Sequence, residues 1–151
     1  MPSRIAKGTR MKISARNQLK GTISSVAEGA VNGVVTIDLG DTSVKADITM
    51  EAIEELGLKE GMTAYAIVKV TNVMFAAGSE RVAGISARNQ LAGTVASVNK
   101  GAVNGHVTLK LADGNTIKGS ITNEAIDDLG LAEGAAALAI VKSTDVIVGV
   151  E

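Results

Sequence analysis

Four polar residues recur at matched positions in the two halves of this chain: Ser14, Arg16, Thr49 and Lys69 in the first, and Ser86, Arg88, Thr122 and Lys142 in the second. They are kept although Tyr65 has become Leu138 and Met74 has become Ile147. Each set supplies hydroxyl donors and two fixed cations. That combination suits a small oxyanion, because a tetrahedral dianion presents only acceptors and needs convergent donors with compensating positive charge. Backbone N–H groups at the start of a helix opening at Thr49 or Thr122 would add donors and a favourable dipole. Simpler roles stay open for the same residues. The threonines suit helix N-caps worth roughly 1 kcal/mol, the lysines suit exposed strand edges, and the arginines suit surface ion pairs.

Other chemistry is poorly supported. No nucleophile, base and orienting group recur together, and the carboxylates are scattered over turns and helix surfaces where they complement dipoles or face solvent. The single histidine, His106, has Val34 as its repeat partner, so a surface strand position accounts for it better than a switch or ligand role. No catalytic residue, cofactor or directly ligated metal is expected, and the chain reads as a binding protein, not an enzyme.

The residues are positioned by an internal repeat. Ile13-Ser14-Ala15-Arg16-Asn17-Gln18-Leu19 returns unchanged at Ile85 to Leu91, and 19 of 27 residues are identical between 13–39 and 85–111. One residue inserted near Gly114 then shifts the register, and the match continues through Ile48-Thr49 with Ile121-Thr122 to Ala66-Ile67-Val68-Lys69 with Ala139-Ile140-Val141-Lys142. Two long copies suggest tandem domains, since a solenoid needs about three or more repeats. The expected division is 1–10 as a leader, 11–75 as the first domain, 76–82 as linker and 83–151 as the second domain. Residues 1–10 read either as a disordered leader or as sequence ahead of a true start at Met11.

Within each copy, runs of Val, Ile and Thr broken by Gly and Asn predict short antiparallel strands, in the first copy at 12–26 with a bend near Gly21, 33–39, 43–48 and 63–73. Asn32-Gly33 and Asn104-Gly105 mark turns able to take positive φ. Thr49 and Gly57 bracket an acidic segment predicted as one short helix that turns Ile53 and Leu56 to the sheet; Thr122 to Gly130 repeats it. Strands, one short helix and a closing strand in about 65 residues predict an all-β fold of two tandem OB-like five-stranded barrels.

Composition sets the remaining bounds. Two units within 151 residues are each near the lower limit for independent stability, so oligomerisation is expected. No cysteine is present to staple them, and the core must be aliphatic because Tyr65 and Phe75 are the only aromatics. A formal net charge of −1 provides no basic field for nucleic acid or anionic lipid, and OB folds that bind single strands use basic grooves and stacking aromatics. The basic N-terminal segment has no apolar signal core and no stretch approaches a membrane span, which reads as a soluble, cytoplasmic protein without membrane or nucleic-acid partners.

The opening string Ser-Ala-Arg-Asn-Gln-Leu, with Gly29-Ala30-Val31-Asn32, the threonine before the helix, Glu54 to Gly61 and Ala66 to Lys69, closely resembles the Mop family of molybdate-binding domains, the molbindins. The resemblance covers about 11–74 and 83–150. It implies OB-like barrels that bind molybdate or tungstate at interfaces between domains, without catalysis, in a six-lobed assembly that a two-domain chain completes as a homotrimer. In the related regulators, Ser and Arg of one chain and the helix-start Thr and closing-strand Lys of another hold the anion. By that resemblance the ligands are Ser14, Arg16, Thr49 and Lys69, and Ser86, Arg88, Thr122 and Lys142, joined through the backbone by Val70 and Ser143. A second kind of oxyanion site is implied around Ala30-Val31-Asn32 and Ala102-Val103-Asn104, segments that also suit plain turns. The implied role is intracellular storage and homeostasis of the oxyanion; the alternative is a regulatory oxyanion-sensing module acting on a partner protein.

Overall fold

A computed structural model describes residues 11–151, and the leader expected at 1–10 lies outside the described residues. The fold is all-β with one short helix in each half: two OB-like barrels in tandem, each built on a five-stranded antiparallel sheet. The first sheet contains β1 (Asn17–Ala27), β2 (Asn32–Asp38), β3 (Ser43–Thr49) and β4 (Thr63–Val68). The second contains β6 (Asn89–Lys100), β7 (Asn104–Leu111), β8 (Thr116–Thr122) and β9 (Ala136–Val141).

The fifth strand of each sheet comes from the other half. β5 (Met74–Ala77) leaves its own barrel and pairs with β9, while β10 (Ile147–Gly149) returns to pair with β4. The run 63–73, expected as one strand, is therefore interrupted. Backbone pairing stops at Val68, Lys69 turns outward, and a 3-10 turn at Val70–Asn72 redirects the chain, with the Asn72 N–H donating to the Lys69 carbonyl at 2.9 Å. Part of the segment expected as linker carries β5.

Sequence pattern accounts for the rest. β1 buries Asn17, Leu19 and Ile23 while Lys20 and Thr22 face outward, the period-2 alternation of a half-buried strand. It pairs first with β4 and then with β2, with a bulge between Ile23 and Ser25, so one long strand serves both sides of the barrel. Gly21 permits the close approach of β2, because a Cβ there would lie 2.4 Å from the Asp38 carbonyl oxygen, and the irregularity expected near it falls instead at the bulge. The helices α1 (Met50–Leu56) and α2 (Asn123–Leu129) start with Thr49 and Thr122 hydroxyls accepting from the Ala52 and Ala125 N–H groups at 3.1 Å and end on left-handed Gly57 and Gly130. Ile53 is buried as expected. Leu56 is 40% exposed, and Met50 and Ile53 are the α1 side chains that pack on the core.

Two features lock the halves together. Asn17 and Asn89, 3% and 2% exposed, act as reciprocal clamps. The Asn17 side chain donates to the Lys118 carbonyl at 2.7 Å and accepts from the Lys118 N–H at 2.8 Å; Asn89 does the same to Lys45 at 2.9 and 2.8 Å. Each amide thus fills a ladder position on the other half's third strand. The exchanged strands also carry core side chains across the seam. The Phe75 ring covers Gly119 so closely that a Cβ there would sit 2.5 Å from it, whereas the equivalent positions in the first barrel are Val148 and Ala46, a smaller side chain matched with a larger one.

On β4, the Tyr65 hydroxyl donates to a Glu151 carboxylate oxygen at 2.9 Å beyond β10. Burial, then the hydrogen bond to Glu151 and its negative charge, raise the phenol above its ordinary value of 10.0. Unfolded tyrosine therefore loses its proton first. The stability that Tyr65 contributes is full below about pH 10 and falls as pH rises toward and through the folded value. Denaturation followed across this range should show a steeper alkaline loss for the native chain than for Tyr65→Phe; parallel curves would contradict the assignment. Replacing either clamp, Asn17→Ala or Asn89→Ala, should cost about 2–5 kcal/mol in denaturant unfolding at fixed protein concentration, because a buried backbone donor and acceptor lose their partners.

Candidate functional site

The opening string is held by its own polar residues. The Gln18 side chain accepts from the Met11 N–H at 2.8 Å and donates to the carbonyls of Met11 and Ala15 at 3.1 Å. Gln90 repeats the pattern with Val82 and Ala87. With the glutamine gripping the segment before it and the asparagine clamped to the far half, Ser14 and Arg16 are fixed on an exposed, irregular stretch just ahead of β1. Two anchors within three residues give an extended surface segment a defined course despite its lack of ladder hydrogen bonds.

Ser14, Ala15, Arg16, Lys69, Val70 and Thr71 line one cleft of about 300 Å³. Two cations and two hydroxyls meet there, and the lining contains no carboxylate. The 3-10 turn at Val70–Asn72 packs against β8 of the other half, so the cleft lies at the seam between the barrels. Lys69 enters in extended conformation at φ −72° and ψ 144°, and Lys142 precedes the corresponding turn Ser143–Asp145 at φ −68° and ψ 141°. The local backbone at the lysine is therefore the same in both halves.

Thr49 is placed elsewhere within the chain. Its hydroxyl caps α1, and it pairs across the ladder with Asn32, while the Met50 N–H donates to the Val31 carbonyl at 2.7 Å. The helix-start threonine is thus grouped with Ala30-Val31-Asn32, and Thr122 is grouped with Ala102-Val103-Asn104 through the Asn104 pairing and the Asn123 N–H donation to the Val103 carbonyl at 2.8 Å. Val31 and Val103 stand 74% and 72% exposed at the tips of these turns. The structure therefore brings Ser14, Arg16, Lys69 and Val70 together and sets Thr49 apart from them.

The halves differ in detail. Val70 is replaced by Ser143 and Asn72 by Asp145, and an Arg81 guanidinium donates to the Arg88 carbonyl at 3.3 Å beside the second string. Asn32 donates to the Asp47 carboxylate at 3.1 Å, whereas Ser120 occupies the position matching Asp47 in the second half. His106 lies exposed on β7, paired with Asn99 and Ser120. Thr71 is the cleft residue that the sequence reading passed over. Its repeat partner is Thr144, so the same criterion, a polar residue kept in both halves, identifies it.

Comparison with known proteins follows the same outline. A family model described as the TOBE domain matches twice, at residues 13–75 and 85–148. The molybdenum transport protein ModE of Herbaspirillum seropedicae is 40% identical over 142 residues, covering 93% of this chain and 52% of that protein. A probable molybdenum-pterin-binding protein of Haemophilus influenzae is 51% identical over 65 residues, 42% of this chain and 94% of that one. The crystal structure of the cytoplasmic molybdate-binding protein ModG with molybdate bound superposes with a TM-score of 0.87 at 45% identity, covering 93% of this chain and all of that one. The chain spans about half the length of the longer curated relatives it matches.

Thr71→Val keeps the branched shape and removes one hydroxyl from the cleft. It should weaken oxyanion binding in the first half several-fold while leaving the melting temperature of the unliganded protein within about 2 °C, as expected for an exposed substitution of roughly 0.5 kcal/mol or less. Anion titration calorimetry beside a thermal scan checks both.

Proposed function

Because this chain belongs to the TOBE-domain family, in its Mop form with two copies in tandem, we propose that it binds molybdate or tungstate as intact tetrahedral oxyanions for intracellular storage and homeostasis. The single observation that carries this reading is the carboxylate-free cleft in which Ser14, Arg16, Lys69, Val70 and Thr71 meet. Arg16 would give a bidentate charge-assisted pair to two oxygens, Lys69 a mobile point charge to a third, and the hydroxyls would complete the shell. Val70 and Ser143 would contribute their main-chain N–H groups, and Ser143 a hydroxyl besides. The likeness to ModG and to the molybdenum-pterin-binding protein supports molybdate as the ligand.

Sites between subunits of a homotrimer would complete the shell, with Thr49 and Thr122 supplied by a neighbouring copy. Repeated apolar exposure supports such self-association: Ile13 with Ile85, Val31 with Val103 and Met74 with Ile147 are large hydrophobic residues left on the surface in both halves. Scattered apolar residues are ordinary on a surface, but matched pairs at equivalent positions fit an interface used twice. The turns at Ala30–Asn32 and Ala102–Asn104 would form the second kind of site where copies meet. In this reading 11–75 and 83–151 are the two repeat units, the protein acts in the cytoplasm, performs no catalysis, and engages neither nucleic acid nor membrane.

A second reading, an oxyanion-sensing module acting on a partner protein, is favoured by the relatives of about twice this length, in which the matched region is joined to further sequence. Partner capture dependent on molybdate would distinguish it from storage.

Isothermal titration with molybdate, with sulfate as control, tests the main reading. Uptake should exceed one molybdate per chain with little heat from sulfate. Arg16→Ala combined with Arg88→Ala should weaken binding at least tenfold per site, the effect of losing a hydrogen bond to a charged group, while the oligomer measured by light scattering stays intact. Unchanged stoichiometry and affinity would refute the assignment.

A further inference from the structure

A cleft of about 510 Å³ lies at the seam between the start of β1 and the β7–β8 hairpin. It is separate from the oxyanion cleft except that Arg16 lines both. The second cation in its lining is Lys118, and Thr108, Thr116, Asn115 and Gly114 supply hydroxyls, an amide and a bare backbone. The lining holds no carboxylate and no aromatic ring. Among the described residues, the Lys118 ammonium and the Thr108 and Thr116 hydroxyls make no hydrogen bond within the chain.

The equivalent place in the other half shows what a closed version looks like. There the Lys45 ammonium donates to the Thr36 hydroxyl at 3.3 Å, and these are the repeat partners of Lys118 and Thr108. Thr36 is buried, whereas Thr108 is partly exposed. The hairpin tips differ in length, since Asp41 and Asp113 correspond and Gly114 is inserted in the second half, where the Asp113 carboxylate accepts from the Asn115 N–H at 2.9 Å. One residue inserted in the β7–β8 turn separates the two versions, and in the second half the same lysine and threonine are unpaired around an open cleft whose lining excludes Asp113.

We propose that this cleft binds a small hydroxylated organic phosphate, of the sugar phosphate class, with Lys118 and Arg16 on the phosphate and the Thr108 and Thr116 hydroxyls on the polyol. The volume lies in the range of sites for small organic ligands, roughly 300–1,000 Å³, and is far more than one tetrahedral oxyanion fills. The absence of aromatic lining disfavours a nucleobase, which would need a stacking surface. Two cations without a carboxylate favour a dianion, and unpaired hydroxyls favour a partner that both donates and accepts. The assignment does not depend on molybdate binding, and Lys118, which takes no part in the oxyanion cleft, separates the two.

The test is an amide NMR titration of the full chain with ribose 5-phosphate, with inorganic phosphate as the second probe. Saturable shifts should concentrate at Thr108 and Gly114 to Lys118 and be small at Thr36 and Asp41 to Lys45. Lys118→Ala keeps the backbone groups that Asn17 holds, so it should fold normally, retain molybdate uptake, and bind ribose 5-phosphate about tenfold or more weakly. Lys45→Ala should bind it as the native chain does. Absence of saturable shifts at the cleft, equal shifts in both halves, or unchanged affinity in Lys118→Ala would overturn the proposal. Inorganic phosphate binding as tightly as ribose 5-phosphate would overturn its organic part, and loss of molybdate uptake in Lys118→Ala would overturn the separateness of the two sites.

Discussion

Each barrel takes its closing strand from the other half of the chain, and most of what is distinctive about the molecule depends on that exchange. β5 must leave its own sheet after Val68, so the backbone has to turn outward at Lys69 and tighten through Val70–Asn72. The turn that results is what presents the lysine, the backbone of Val70 and the Thr71 hydroxyl beside the opening string. A barrel that closed on its own strand would have no reason to break the run there. The geometry of this cleft is thus a by-product of how two small, aromatic-poor cores share surface that neither could bury alone.

The seam is polar where it must be specific and apolar where it must be strong. Asn17 and Asn89 carry the specificity, since each completes a main-chain hydrogen-bond pair on a strand of the opposite half, and a shift of one position along that strand would leave all four groups unpaired. Phe75 and Val148 carry apolar surface across the same boundary into the opposite cores. The halves are alike in backbone and unlike in charge. Substitutions such as Asp145 for Asn72, Ser143 for Val70 and Ser120 for Asp47 leave the framework alone and change what each surface attracts.

Much of this was legible in the residues, and the parts that were not share a cause. The repeat, the short helix with its threonine cap and glycine stop, and the two-barrel architecture all rest on local signals, meaning alternation and capping, whereas Asn32-Gly33 and Asn104-Gly105 join strand ladders without positive φ. The grouping of Ser14 and Arg16 with Lys69 follows the residues kept in both halves. Strand exchange left no local mark, because a run of β-branched residues looks the same whichever sheet it joins, and Lys69 to Val73 reads as continuous strand. Helical spacing points Leu56 inward, yet Met50 and Ile53 hold the core-facing positions of α1. Asn17 and Asn89 sit inside the most conspicuous string of the sequence, but only the opposing strand reveals that they are clamps and not ligands.

The exchange also bears on how such a chain could arise. A relative of single-repeat length exists in Haemophilus influenzae, and a lone copy that donates its last strand can satisfy its sheet only by meeting another molecule. Joining two copies through the short span from Ala77 to Asn89 turns that meeting into an intramolecular event. Local concentration set by a short tether is in the millimolar range, far above that of most free proteins. Duplication with fusion therefore removes the concentration dependence of one pairing step. It also frees the two halves to drift apart in surface charge, because each always meets the other and never an identical copy across that seam.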